Sequence, residues 1–187
     1  MSSRVGVLAI QGDYACHMQV FAGLGAEVSE VRTPEDLAQV DRLVIPGGES
    51  STVGKLLERY GTGAAIRERA AAGMPIWGTC MGMIMLAKRI ENRTQYALEL
   101  LDITVRRNAF GAQVHSFETE VPMAGWDEPL TAVFIRAPIV TEIGANVEVL
   151  ARYDDKIVAV REGKLLGTSF HPELTDDTRL AAEFLTY

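Results

Sequence analysis

Gly78-Thr79-Cys80-Met81-Gly82 sets a cysteine between two glycines, directly after the apolar run Pro75-Ile76-Trp77 and ahead of the helix-like Met83-Ile84-Met85-Leu86-Ala87-Lys88. Strand, tight turn and helix in that order form a nucleophile elbow, with sulfur where the serine version carries oxygen. Glycines flank such a nucleophile because side chains do not fit in the turn, and the strain aims the reactive atom outward. A thiol at a helix N-terminus also feels the positive end of the helix dipole, which favours the attacking thiolate. Cys80 is therefore the candidate nucleophile, although the spacing alone suits equally well a free cysteine that only packs in a core.

A thiol needs a base, because a free one with a pKa of roughly 8.5 is only a few per cent ionised at neutral pH. Three histidines are available: His17 in a helix-like segment, His115 in a strand-like one, and His171 in Ser169-Phe170-His171-Pro172-Glu173-Leu174. In an extended segment the side chains of His171 and Glu173 point the same way, and Pro172 stiffens the backbone between them. Cys80, His171 and Glu173 then read as a triad. Pro46-Gly47-Gly48-Glu49-Ser50 exposes backbone N–H groups ahead of another helix. It suits a phosphate cradle, an oxyanion hole or simply a tight turn. The absence of a Gly-Lys-Ser/Thr ending and of G-x-G-x-x-G spacing counts against nucleotide. The N–H groups of Gly48 and Met81 would converge on a carbonyl oxygen attacked by Cys80.

The scaffold these residues need is legible in the first half of the chain. Strand-like Arg4 to Ile10, Glu27 to Val31, Arg42 to Ile45 and Pro75 to Trp77 alternate with helix-like Tyr14 to Leu24, Thr52 to Tyr60 and Ala64 to Ala72. Thr33-Pro34-Glu35-Asp36 opens a short helix with a capping threonine. Such alternation predicts an α/β fold, an open, mostly parallel sheet with helices on both faces, its active site beyond the carboxyl ends of the strands. The second half supplies added antiparallel strands: Leu101 to Arg107, Gln113 to Val121, Leu130 to Arg136, Val147 to Tyr153, Lys156 to Val160 and Leu165 to Phe170. Asp176 to Tyr187 reads as a closing helix.

The chain has 187 residues, of which 48% are hydrophobic and 23% charged, and a single domain over 1–187 is expected. A net charge of -7 without a Lys/Arg run argues against a nucleic-acid surface. No apolar run reaches membrane-spanning length and no signal peptide is read, so the cytoplasm is the expected location. The two cysteines suggest neither a zinc site nor a disulfide, and Cys16 is assigned to packing.

Five motifs in order, Pro46-Gly47-Gly48-Glu49-Ser50, Gly78-Thr79-Cys80-Met81-Gly82, Arg107-Asn108-Ala109-Phe110-Gly111, Phe134-Ile135-Arg136-Ala137-Pro138 and the His171-Pro172-Glu173 segment, resemble the class I (triad) glutamine amidotransferases. Within that class the chain looks like the glutaminase subunits of pyridoxal 5'-phosphate synthases, from first strand to last helix. The resemblance implies a flavodoxin-like fold and hydrolysis of L-glutamine to glutamate and ammonia without cofactor or metal. The ammonia would pass to a barrel-shaped synthase subunit that builds vitamin B6. It also implies that Gly48, Glu49, Ser50, Arg107, Ile135 and Arg136 bind glutamine, and the planar forks of the two arginines suit its α-carboxylate. Two residues depart from the pattern. Met81 stands where alanine is usual, and Glu99 where glycine is expected. Another elbow-cysteine enzyme of similar fold, such as a peptidase or a DJ-1-like stress protein, is opposed by the His171-Pro172-Glu173 segment together with the arginine motifs, and a docking protein without activity by the presence of all three triad residues.

Overall fold

A computed structural model of the chain describes residues 2–111 and 116–187. Strand β1 (Arg4–Leu8) leads to α1 (Tyr14–Gly23), β2 (Glu27–Val31), α2 (Pro34–Leu37), β3 (Arg42–Ile45), α3 (Ser50–Arg59), α4 (Thr62–Ala71), β4 (Ile76–Thr79) and α5 (Met81–Leu86). The second half runs through β5 (Ala87–Ile90), β6 (Leu101–Arg106), β7 (Ser116–Val121), β8 (Leu130–Ile135), β9 (Ile139–Ile143), β10 (Glu148–Tyr153), β11 (Lys156–Glu162) and β12 (Leu165–Thr168). It ends in a 3-10 turn over Pro172–Leu174 and α6 (Arg179–Phe184).

Ten strands form one sheet in the order β2-β1-β3-β4-β12-β11-β9-β6-β5, with β10 paired to β11. From β2 to β12 every pairing is parallel, and β11, β9 and β6 then pair antiparallel. Because successive strand side chains point to opposite faces, β3 sends Leu43 and Ile45 to one core and Val44 to the other. The first core takes Val53 and Leu57 of α3, Ile66 of α4 and Met83 and Met85 of α5; the second takes Phe21 of α1 with Leu180 and Phe184 of α6. The expected α/β sheet with helices on both faces is therefore present.

Several expected boundaries move. Helix α5 begins at Met81 rather than Met83 and stops at Leu86, because Ala87 onward pairs with β6 and Lys88 is strand. Strand β9 was not expected; it runs antiparallel to β6. The closing helix covers only Arg179–Phe184, and Asp177 Oδ1 accepts from the Arg179 N–H just before it (3.2 Å). Strand β1 ends at Leu8, two residues early. His115 and the start of the strand expected from Gln113 lie outside the described residues. The remainder of that strand, β7, pairs with β8 in a separate two-stranded sheet. Phe117 stacks on Phe134 at 4.9 Å, and Phe134 meets Phe170 edge-on at 5.7 Å. Pairs of this kind contribute about 0.5–1.5 kcal/mol each beyond their burial. They fix the segment that precedes His171.

Candidate active site

Cys80 sits at φ 52° and ψ -108°, a backbone conformation that L-residues avoid, between β4 and α5. Its N–H donates to Thr168 O at 2.7 Å, which ties the elbow to β12. The flanking glycines are required by close approach. A Cβ on Gly78 would lie 2.3 Å from Gly82 O, and one on Gly82 only 1.9 Å from Ile45 O. Met81 is the first residue of α5, so its N–H has no acceptor inside the helix. Its side chain is buried, with the methyl 3.4 Å from where a Cβ on Gly48 would stand.

His171 and Glu173 do not lie in an extended segment. His171 precedes the 3-10 turn and Glu173 is its second residue, yet the turn still brings His171 Nδ1 to 2.7 Å from Glu173 Oε1. The His171 N–H donates to Val133 O (2.8 Å), anchoring the segment to β8. Burial works against protonation of His171, but the Cys80 and Glu173 side chains beside it prevail and raise its pKa to about 10. Burial likewise works against ionisation of Glu173, and its bond with His171 and the nearby imidazoles hold the carboxyl below its ordinary value. A protonated His171 bonded to an ionised Glu173 follows.

A cavity of about 320 Å³ opens over Cys80 and His171. One wall is the turn after β3. Gly48, Glu49 and Ser50 all line it, but Glu49 has a role that the sequence reading missed. Its carboxylate caps α3, accepting from Ser51 N (3.0 Å), Thr52 N (2.7 Å) and Thr52 Oγ1 (2.7 Å). These bonds, the Thr52 hydroxyl foremost, push its pKa down to about 2. Its N–H is taken by Gln11 Oε1 at 2.7 Å, and a Cβ on Gly12 would fall 1.8 Å from Gly47 O, so the β1–α1 loop braces this turn. Ser50 is buried and its hydroxyl donates to Gln95 Oε1 (3.4 Å).

The opposite wall comes from the loops after β6 and β8, joined by Ala109 N donating to Ala137 O (3.1 Å). Arg107 and Arg136 lie just past the strand ends expected to contain them, and both line the cavity, Arg136 with φ 45°. Ile135 also lines it and places its carbonyl oxygen 3.8 Å from Cys80 Sγ. Arg107 Nη1 is buried and has no hydrogen-bond partner among the described residues, while Nη2 stays 3.8 Å from Glu49 Oε1. Asn108 and Ile84 complete the lining; neither was given a role from sequence, although Asn108 stands in the motif that begins at Arg107, and Ile84 was recognisable only as the residue one helical turn beyond Cys80. Cys16, assigned to packing, is half-buried with its Sγ 3.5 Å from Asp13 Oδ2.

This constellation can be set against known proteins. Residues 7–187 match the SNO glutamine amidotransferase family. The chain belongs to that family. This amidotransferase is 58% identical to the pyridoxal 5'-phosphate synthase subunit PdxT of Herpetosiphon aurantiacus, over 97% of this chain and 98% of the relative. Identity to the PdxT of Niallia circulans is 50%, covering 97% and 96%. A crystal structure of a glutamine amidotransferase, 48% identical, superposes with a TM-score of 0.93 over 97% of each chain. The resemblance drawn from the five motifs is borne out. Among the described residues no helix is long and apolar enough to cross a membrane, and no group of three or more His, Cys, Asp or Glu could hold a metal.

Proposed function

We propose that this amidotransferase is the glutaminase of a pyridoxal 5'-phosphate synthase, hydrolysing L-glutamine at Cys80 and delivering ammonia to a synthase subunit. The observation that carries the reading is one cavity that joins Cys80 and the protonated His171 to a buried guanidinium nitrogen of Arg107 without a partner among the described residues. A substrate with an amide at one end and a carboxylate at the other spans those two features. Arg107, with Arg136 beside it, takes the α-carboxylate in a charge-assisted pair. Glu49, half-exposed and ionised, has acceptor capacity left for the substrate ammonium.

Cys80 Sγ attacks the side-chain amide carbon as a thiolate, and the N–H groups of Gly48 and Met81 hold the oxyanion. His171, kept protonated and oriented by Glu173, gives its proton to the departing nitrogen, so that ammonia leaves and a γ-glutamyl thioester remains. The same imidazole, now neutral, takes a proton from water. The resulting hydroxide cleaves the thioester to glutamate, and the Cys80 thiolate and protonated His171 are restored. The consumption of one water and the release of one ammonia balance the cycle. None of these steps needs a cofactor. Gly47-Gly48, braced by Gln11 and Gly12, is a turn that a docking partner can reshape, because glycine permits peptide rotation at little cost.

Ammonia release from glutamine, measured for the chain alone and with the synthase subunit, tests the proposal. A glutamine-dependent rate that rises with the subunit is expected. No release in either case would overturn it.

A further inference from the structure

His17 lies on α1, 1% exposed, and has no part in the steps above. Its Nε2 is 3.1 Å from Thr79 Oγ1 and 3.4 Å from Glu173 Oε2. That carboxylate oxygen is buried and has no hydrogen-bond partner among the described residues, since His171 engages Oε1 and the His17 ring is a close contact and not a bonded donor. Thr79 immediately precedes Cys80. We propose that His17 is a positioning residue: its Nε2–H is bonded to Thr79 Oγ1 and lies against Glu173 Oε2, an electrostatic contact that turns Oε1 toward His171 and braces the carboxylate against the elbow. The inference rests on the glutaminase reading above.

The alternative is a core histidine that merely accepts a hydrogen bond from the Thr79 hydroxyl. In that tautomer the Nε2 lone pair would face an ionised carboxylate oxygen in a buried, weakly screened site, which is repulsive. With the proton on Nε2, Thr79 Oγ1 becomes an acceptor and Glu173 Oε2 faces the positive edge of the N–H. The groups facing the ring are few. Asp13 comes from the residue just before its own helix, Thr79 and the edge of Trp77 (6.1 Å between ring centroids) from β4, Glu173 from the 3-10 turn and His171 from the residue before that turn. Burial, with the charge of His171 acting in the same direction, outweighs the two carboxylates and lowers the pKa of His17, so the ring is neutral and has one N–H to place.

The consequence is a tuned relay. The positive edge of an N–H beside Oε2 stabilises charge on that oxygen and moderates how firmly the carboxylate holds the proton on His171, which must be released in every turnover. Removing that N–H leaves the buried oxygen without its favourable electrostatic neighbour and raises the pKa of Glu173.

The test uses the full chain with the synthase subunit and two substitutions, His17→Leu and His17→Gln, the latter placing an amide N–H near the position of Nε2. His17→Leu is expected to lower kcat about ten-fold with KM unchanged. It should also move the acid limb of the kcat/KM profile upward by about half a pH unit or more. His17→Gln should restore most of both. If the leucine variant matches wild type in kcat and acid limb, whatever its melting temperature, or if the two variants fall alike, the positioning role is overturned. Nitrogen-15 NMR of the wild-type chain alone provides a readout independent of turnover. The Nε2–H tautomer of His17 is expected, and the Nδ1–H tautomer would refute the hydrogen bond even if glutamine hydrolysis itself were not observed.

Discussion

The two arms of the site are held by opposite means. Cys80 is placed by backbone compression: a positive φ, two glycines that admit no Cβ, and one bond to β12. His171 and Glu173 are placed by side-chain pairing in a buried pocket, with ordinary backbone angles at His171, and the one glycine against them is distant in sequence: a Cβ on Gly47 would stand 2.6 Å from His171 Cε1. Compression of this kind is written in a few adjacent residues, whereas pairing depends on what distant segments bring. Substitutions should therefore separate the arms, with side-chain loss silencing either and bulk added at the flanking residues harming only the first.

The largest effect expected is on chemistry. Cys80→Ala should lower glutamine hydrolysis at least about a thousand-fold while leaving the melting temperature close to wild type, since alanine and cysteine meet the same backbone demand. His171→Asn should do the same to activity. Next comes Gly82→Ala, whose Cβ would meet a main-chain oxygen rather than a flexible side chain. A loss of about 3 kcal/mol or more in urea unfolding is expected, and near-wild-type stability would show that the elbow is not compressed. Arg107→Ala should raise KM for glutamine about 10–100-fold, the loss of a charge-assisted pair, with kcat little changed.

The pairing arm has a pH signature. The His171 pKa is raised to about 10, so its contribution to stability is complete below an unfolded value of about 6.5 and is lost as pH rises toward 10. Melting temperature should decline across that window. In Glu173→Gln, which removes one of the two charges responsible, the decline should flatten; an unchanged slope would detach the pair from stability. The smallest effect concerns strain without chemistry. Glu99 is exposed at φ 56°, where the family resemblance leads one to expect glycine. Glu99→Gly should stabilise the chain by about 0.5–1 kcal/mol, the left-handed cost less the entropy of glycine.

The parallel half was legible because its signals are local. β2 and β3 begin and end at the residues expected, and Thr33 caps α2 with Asp36 completing a capping box. Strands β5 and β9 were not legible. Ala87–Ile90 follows directly on the apolar helix without a turn residue and becomes strand where β6 pairs with it, and Ile139–Ile143 follows a proline and pairs with a partner about 35 residues earlier, Val105 facing Val140. The residues proposed for the site stood out where a motif surrounded them. The cap formed by Glu49, the brace from Gln11 and the position of His17 beside Glu173 arise from loops meeting in space, and nothing in their flanking residues announces it.

The insertion of β12 between β4 and β11 bears on how the molecule matures. Thr168 accepts from the Trp77 indole across 91 residues of sequence and from the Cys80 N–H as well. A chain emerging from the ribosome can complete the first four strands of the sheet early, because their contacts are near in sequence. Its cysteine would then stand at an open sheet edge without base, carboxylate or supporting strand. Docking of β12 closes that edge and delivers His171 and Glu173 in the same event. The proposed reactive centre is thus assembled only when a segment distant in sequence docks, and a partly folded chain would expose an idle thiol rather than an uncontrolled source of ammonia.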